Sequence, residues 1–157
     1  MDGGAQQLET NYVSKLKEVT EGEWAGWLHY PGGDPFEDLA GPFYWKETDG
    51  RRVSAFRAEQ RHMNGGGFMH GGCVMTFADF CLFVIARGVI DDARTVTATF
   101  NCELVGMARE GDLVECTGEV VKAGRSMVFV RGLIVNASQG GEPIQSFSAV
   151  LKKTGKR

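Results

Sequence analysis

Nothing in the chain marks it for export or for a bilayer. Its longest apolar stretch, Gly71 to Ala86, falls short of the roughly 20 residues a spanning helix needs, and it carries Asp79. The opening Met1-Asp2-Gly3 has neither a basic n-region nor an apolar h-region. These absences lead us to expect a cytoplasmic protein with no membrane partner. Cysteine is scarce. The four present, Cys73, Cys81, Cys102 and Cys116, have no metal-ligand spacing and sit in apolar surroundings. They read as reduced core residues, not disulfides or zinc ligands. Positive charge is not in excess: 17 Lys and Arg against 20 Asp and Glu give a net charge of −3. That excludes the basic footprint of nucleic-acid binding. A phosphate-cradling P-loop is also missing, because Gly65-Gly66-Gly67 is followed by Phe-Met-His and not by Lys-Ser or Lys-Thr. No internal repeat and no second domain is visible.

What remains is an ordinary globular composition. The chain has 157 residues, 43% apolar and 24% charged, enough for one domain with a real core. Apolar residues at Leu8, Tyr12, Val13, Leu16 and Val19 predict a helix over 8–21, ended by Gly22. The stretch from Trp24 to Pro42 reads as an irregular loop whose tryptophans pack on the domain body. Phe43–Glu47 and Arg52–Gln60 read as a hairpin around Asp49-Gly50. The expected helix over 71–87 follows a glycine-rich approach. Thr95–Leu104, Asp112–Lys122, Ser126–Asn136 and Pro143–Lys153 are the next four strands. Six antiparallel strands and one long helix, apolar on nearly every side, make an α+β domain with the sheet wrapped around the helix. The organisation expected is a helix and irregular extension over 1–40, the domain over 41–153 and a basic tail over 154–157.

Asp79 is the anomaly. A carboxylate on a buried helix must be paired, hydrogen-bonded, protonated or used in chemistry. Just upstream stand Asn64, His70 and the bare helix start Gly71-Gly72. Unoccupied N–H groups there favour negative charge, and glycine lets a ligand approach them. Each residue alone has a plainer reading. Asn64 would be a turn residue, His70 a satisfied structural histidine, Gly71-Gly72 a tight packing contact and Asp79 a hydrogen-bonded core acid. Cys73, beside His70, is a rival nucleophile. However, six residues put it roughly 120° around the helix from Asp79. Gly72 does share a face with Asp79, but about 10 Å away along the axis. An attacking group must come within about 3.5 Å of its target. If Asp79 and the helix start serve one carbonyl, they belong to two chains, so the catalytic reading predicts an obligate dimer.

The spacing of Asn64, Gly67, His70, Gly71, Gly72 and Asp79 resembles that of the PaaI-type acyl-CoA thioesterases of the hotdog superfamily. The likeness covers about residues 40–153. It implies a hotdog fold, no cofactor, no metal and an acyl-CoA substrate. It implies Asp79 as general base or nucleophile and the Gly71 N–H of the partner subunit as the donor to the thioester carbonyl. Asn64 would position substrate or water, His70 would orient the site, and Thr97 would orient the attacking water. Gly72 would lie against the substrate, and Arg125 and Ser126 would lie near the CoA phosphates. Assembly would be a homodimer with interfacial sites, or a tetramer built from it. The alternatives are a non-catalytic acyl-CoA-binding or regulatory module, another hotdog enzyme such as a hydratase or dehydratase, and a structural protein with no ligand.

Overall fold

The computed structural model describes residues 15–156. The elements in order are β1 (Lys17–Glu18), β2 (Leu28–His29), α1 (Pro35–Ala40), β3 (Tyr44–Thr48), β4 (Arg51–Arg57), α2 (Gly71–Ala86), β5 (Ala93–Leu104), β6 (Leu113–Ala123), β7 (Met127–Asn136) and β8 (Glu142–Lys156). All strands join one antiparallel sheet in the order β1-β2-β3-β4-β6-β7-β8-β5. The α+β reading holds, with eight strands where six were expected. The two extra strands are only two residues long each, below what a period-2 pattern can reveal.

The β3–β4 hairpin turns at Asp49 and Gly50, both with positive φ (53° and 71°). That is the geometry two-residue hairpins demand and Asp-Gly supplies. The chain then leaves the sheet for α2 and re-enters at the far edge as β5. This crossover lays α2 across the sheet's inner face, where it packs on β4, β6, β7 and β8. Val74, Phe77, Ala78, Phe80, Cys81, Leu82, Val84, Ile85 and Ala86 of α2 are buried. Phe43, Phe56 and Phe77 meet with ring centroids 4.7–5.2 Å apart, and Val114, Val128, Val130, Ile134 and Leu151 complete the core. Gly118 and Gly132 face each other across β6 and β7. A Cβ on Gly118 would lie 2.5 Å from Ile85 Cδ1, and one on Gly132 2.3 Å from the Phe147 ring. The missing side chains therefore admit the helix and an aromatic ring to the sheet.

Three expectations need correcting. Most of the proposed 8–21 helix lies outside the described residues. Within the part that is described, Lys17 and Glu18 form β1 and pair with His29 and Leu28. The neighbouring strand offers the backbone partners a helix would otherwise have supplied internally. The segment read as an irregular loop holds β2 and a six-residue helix, α1. Its tryptophans do pack on the body: Trp24 stacks on Tyr44 at 4.3 Å. The expected basic tail is the end of β8. Gly155 pairs with Arg94 and Lys156 with Ala93, because β5 begins two residues earlier than its β-branched run suggests.

Candidate active site

The burial of α2 is not uniform. Gly72, Thr76, Asp79 and Phe83 recur at three- and four-residue spacing, and none of them is buried. This spacing draws a line along one face of the helix. Met75, 40% exposed, lies beside that line. Asp79 therefore sits on the helix's one open face, flanked by the buried Ala78 and Phe80.

Thr97 meets it from β5. Its hydroxyl donates a 2.7 Å hydrogen bond to Asp79 Oδ1. Thr97 reaches that position through a break in the strand. Thr97 pairs with Leu151 and Thr99 with Val150, which leaves Ala98 as an extra residue. Such a bulge re-aims the side chains on either side of it. Half-buried positions run Thr95, Thr97 before it and Phe100, Cys102 after it.

The helix start is built by His70. Its backbone is extended (φ −63°, ψ 133°), and its Nδ1 accepts the Gly72 N–H at 2.9 Å. The ring thus takes the place of a Ser or Asp N-cap, and the Gly72 amide is spoken for. The Gly71 N–H has no hydrogen-bond partner among the described residues. A Cβ on Gly71 would lie 2.9 Å from Leu104 Cδ1. Asn64 holds the glycine loop that leads here. Its Oδ1 accepts from Gly66 N at 2.8 Å and Phe68 N at 3.3 Å, and its backbone pairs with Phe68 O and Gly67 N. Its exposed Nδ2 has no partner among the described residues.

These residues fall into two groups within one chain. Asp79 and Thr97 form one. Asn64, His70, Gly71 and Gly72 form the other, at the helix start. Arg125 and Ser126 belong to neither. They occupy the exposed β6–β7 turn, where Ser126 O accepts from Lys153 N at 2.8 Å. Val128, Leu151 and Thr97 lie in one cross-strand row, so Val128, two residues past that turn, stands two strand spacings, roughly 10 Å, from Thr97.

Two clefts meet at Asp79. The larger, about 860 Å³, runs between the second half of α2, the first half of β5 and the segment before β3. Phe80, Phe83, Val84 and Val96 wall it, and Arg87 and Arg94 are also on its lining. The smaller, about 390 Å³, is lined by Phe36, Met75, Thr76 and Phe100. Asp34, Glu37 and Asp79 border both. Asp34 and Glu37, on or beside α1, are site residues that sequence reasoning missed. The signal was present: Asp34-Pro35 is an N-cap followed by proline in the first turn. Asp34 Oδ1 accepts from Phe36 N and Glu37 N.

Titration separates the cysteines from the acids. Burial pushes the Cys73 thiol up to about 11, with Arg61 pulling weakly the other way. Cys81, fully buried beside Cys116, is raised well above the ordinary range by burial. Neither is an activated thiolate, so Cys73 falls away as a nucleophile. Glu37 is raised to about 8 by burial first, then by the neighbouring Asp34, Asp79 and Asp38 charges. Among the described residues, no three His, Cys, Asp or Glu side chains gather in a way that could hold a metal ion. No helix among them is long and apolar enough to cross a membrane.

A long helix wrapped by an antiparallel sheet, with its one open face carrying a carboxylate, is the hotdog architecture. Comparison with known proteins agrees. The family model described as the thioesterase superfamily matches residues 66–142. A Pseudomonas aeruginosa protein, named provisionally as an esterase, is 36% identical over 97 residues, 60% of this chain and 72% of that one. The Escherichia coli PaaI protein of the phenylacetic acid degradation operon superposes with a TM-score of 0.67 at 18% identity, over 78% of this chain and 86% of that one. A Streptococcus mutans protein solved bound to acetyl-CoA gives 0.65 at 21%, over 74% and 92%. The chain belongs to the thioesterase superfamily.

Proposed function

We propose that the protein hydrolyses acyl-CoA thioesters, with Asp79 as general base or nucleophile, in sites shared between two copies of the chain. The observation that carries this reading is the Asp79–Thr97 pair on the open face of α2, at the junction of two clefts. A carboxylate kept for packing alone has no need of two clefts. The superfamily supports thioester chemistry, and the acetyl-CoA held by the S. mutans relative supports CoA as the carrier.

Thr97 keeps one Asp79 oxygen engaged and leaves the other for water or for direct attack. The carbonyl oxygen needs a donor as charge builds on it, and a single such donor is worth about 10²–10³ in rate. The unpartnered Gly71 N–H suits that task. It stands eight residues before Asp79 on the same helix, about 12 Å along the axis, so the Gly71 that serves a given Asp79 comes from the partner. Two features support the dimer. The line of Gly72, Thr76, Asp79 and Phe83 is a half-exposed stripe on a helix that is otherwise buried from Phe77 onward. Among the described residues, β5 is an edge strand with one row of backbone groups unpaired, a ready surface for a second copy. Asn64 Nδ2 and His70 would line the substrate at the helix start, beside Gly72. Arg125 and Ser126 would stand toward the CoA phosphates.

The test is thiol release by the purified protein from short, medium, long and aryl acyl-CoAs. Wild type releases free CoA, and Asp79→Ala loses about 10²-fold or more of that rate while its oligomeric state persists. Tight binding of an acyl-CoA without any release would instead establish a binding module.

A further inference from the structure

The mechanism above leaves one acid unused. Glu37 lies outside the segment matched by the superfamily model, yet it borders both clefts that Asp79 borders. The short helix that carries it is fixed at both ends. At the N-terminus, Asp34 caps the amides of Phe36 and Glu37. At the C-terminus, Arg61 donates to Leu39 O at 2.6 Å and to Gly41 O, and His62 Nε2 donates to Ala40 O at 2.8 Å. His62 Nδ1 accepts the Glu59 N–H, which fixes the proton on Nε2, and burial holds the ring neutral by lowering its pKa. The chain then returns directly to the helix start, where His62 O accepts the His70 N–H at 2.8 Å. One run of residues therefore locks α1 against the central helix and places the Glu37 carboxyl at the junction of the clefts.

We propose that Glu37 is a second catalytic carboxyl of this site, the proton donor to the departing thiol, working as a pair with Asp79. This inference rests on the thioesterase reading. The groups that face Glu37 are Asp34 and Asp38 from its own turn, and Asp79 and the Cys81 thiol from α2. The larger cleft also holds Arg87, Asp91 and Arg94, with Arg87 eight residues beyond Asp79, about 12 Å along the helix. Burial and the three neighbouring acids keep Glu37 protonated up to about pH 8. It thus holds a proton where the reaction needs one.

The step balances without any further reactant. Asp79 takes a proton from water as the water oxygen bonds to the carbonyl carbon. The carbon–sulfur bond breaks with its electron pair going to sulfur. Glu37 gives its proton to that sulfur. The proton on Asp79 then passes to the Glu37 carboxylate, and both groups are restored. A carboxyl that keeps its proton near neutral pH can act as the acid of such a pair.

The experiment compares wild type with Glu37→Gln on two substrates bearing the same acyl group. One is the acyl-CoA. The other is the thioester of an aromatic thiol, a leaving group that departs without a proton. Glu37→Gln loses about 10²-fold in kcat on the acyl-CoA, the lower range for acid catalysis, and keeps nearly full activity on the aryl thioester. Wild type alone gives a second reading that needs no variant: its kcat on acyl-CoA falls as pH rises above about 8, and its kcat on the aryl thioester does not. Equal loss on both substrates, or no loss on either, overturns the proton-donor role. So does a wild-type alkaline limb of the same size with both substrates. Absence of thiol release by wild type from any acyl-CoA would instead overturn the thioesterase reading itself.

Discussion

The Thr97 hydroxyl and the Asp79 carboxylate are joined by a 2.7 Å hydrogen bond that ties the edge strand to the central helix. A hydrogen bond to a charged group contributes about 1.5–3 kcal/mol. Thr97→Val keeps the shape and removes the donor. We expect kcat on acyl-CoA to fall about 10- to 100-fold, with Thr97→Ser restoring most of it. Steady-state kinetics of the three proteins check this. An unchanged kcat in the valine variant would leave the hydroxyl without a part in the reaction.

The placement of the oxyanion donor is tested by mixing chains. His70 already has the extended backbone that a residue before proline must adopt, and proline is at home in the first helical position. Gly71→Pro therefore deletes the N–H with little strain, the Leu104 methyl being the group that must yield. Alone, Gly71→Pro and Asp79→Ala are each inactive. Mixed dimers regain up to half of wild-type activity, because one of their two sites has both groups intact. If no activity returns on mixing, Asp79 and Gly71 act within one chain.

Cys73 stands in the first turn of α2, where a thiolate would be favoured by the helix, yet burial holds the thiol neutral to about pH 11. Cys73→Ser should leave kcat within about twofold of wild type, since the nucleophile of this reaction is not the thiolate. A thiol-directed alkylating agent at pH 7 should react with Cys73 far more slowly than with free cysteine. Rapid labelling that abolishes activity would reinstate the rival nucleophile.

Glu37 also predicts how stability varies with pH. Its folded pKa, about 8, lies above its ordinary value of 4.5. The folded state therefore binds the proton more tightly than the unfolded chain does. That stabilisation is complete below about pH 4.5, declines as pH rises and is gone once pH passes about 8. Glu37→Gln has no such proton to lose. Denaturant unfolding at pH 5, 6.5 and 8.5 should show a downward slope for wild type that is shallower in the variant, and parallel slopes would place the carboxyl in water.

Much of this was legible because it is local. The helix over 71–87 and the hairpin at Asp49-Gly50 follow from apolar patterning and turn chemistry within a few residues. The Asn64, His70, Gly71 and Asp79 spacing is likewise written along one stretch. Thr97 was reached only through the family resemblance, and it could be placed because it precedes the bulge, where the strand register is still regular. Glu37 was hidden for a physical reason. No side chain of α1 is fully buried, Glu37 is half-buried, and Phe36 and Leu39 are 64% and 71% exposed. It therefore prints no periodic apolar stripe, and its position depends on Arg61 and His62, more than twenty residues away in the chain. At the described end of the proposed early helix, Lys17 and Glu18 form a strand because a backbone partner from β2 outweighed a spacing pattern.

The extra residue at Ala98 acts as a frameshift in the pleat. Before it the odd-numbered positions of β5 turn toward the helix; after it the even-numbered ones do, down to Leu104 against Gly71. Thr97 and Leu104 therefore sit in different reading frames of one strand. A residue inserted or lost on one side can re-aim the half that meets Asp79 without disturbing the half that borders the helix start, and the bulge absorbs the difference. Any design that treats β5 as one uninterrupted alternation will turn one of these two residues to the wrong face.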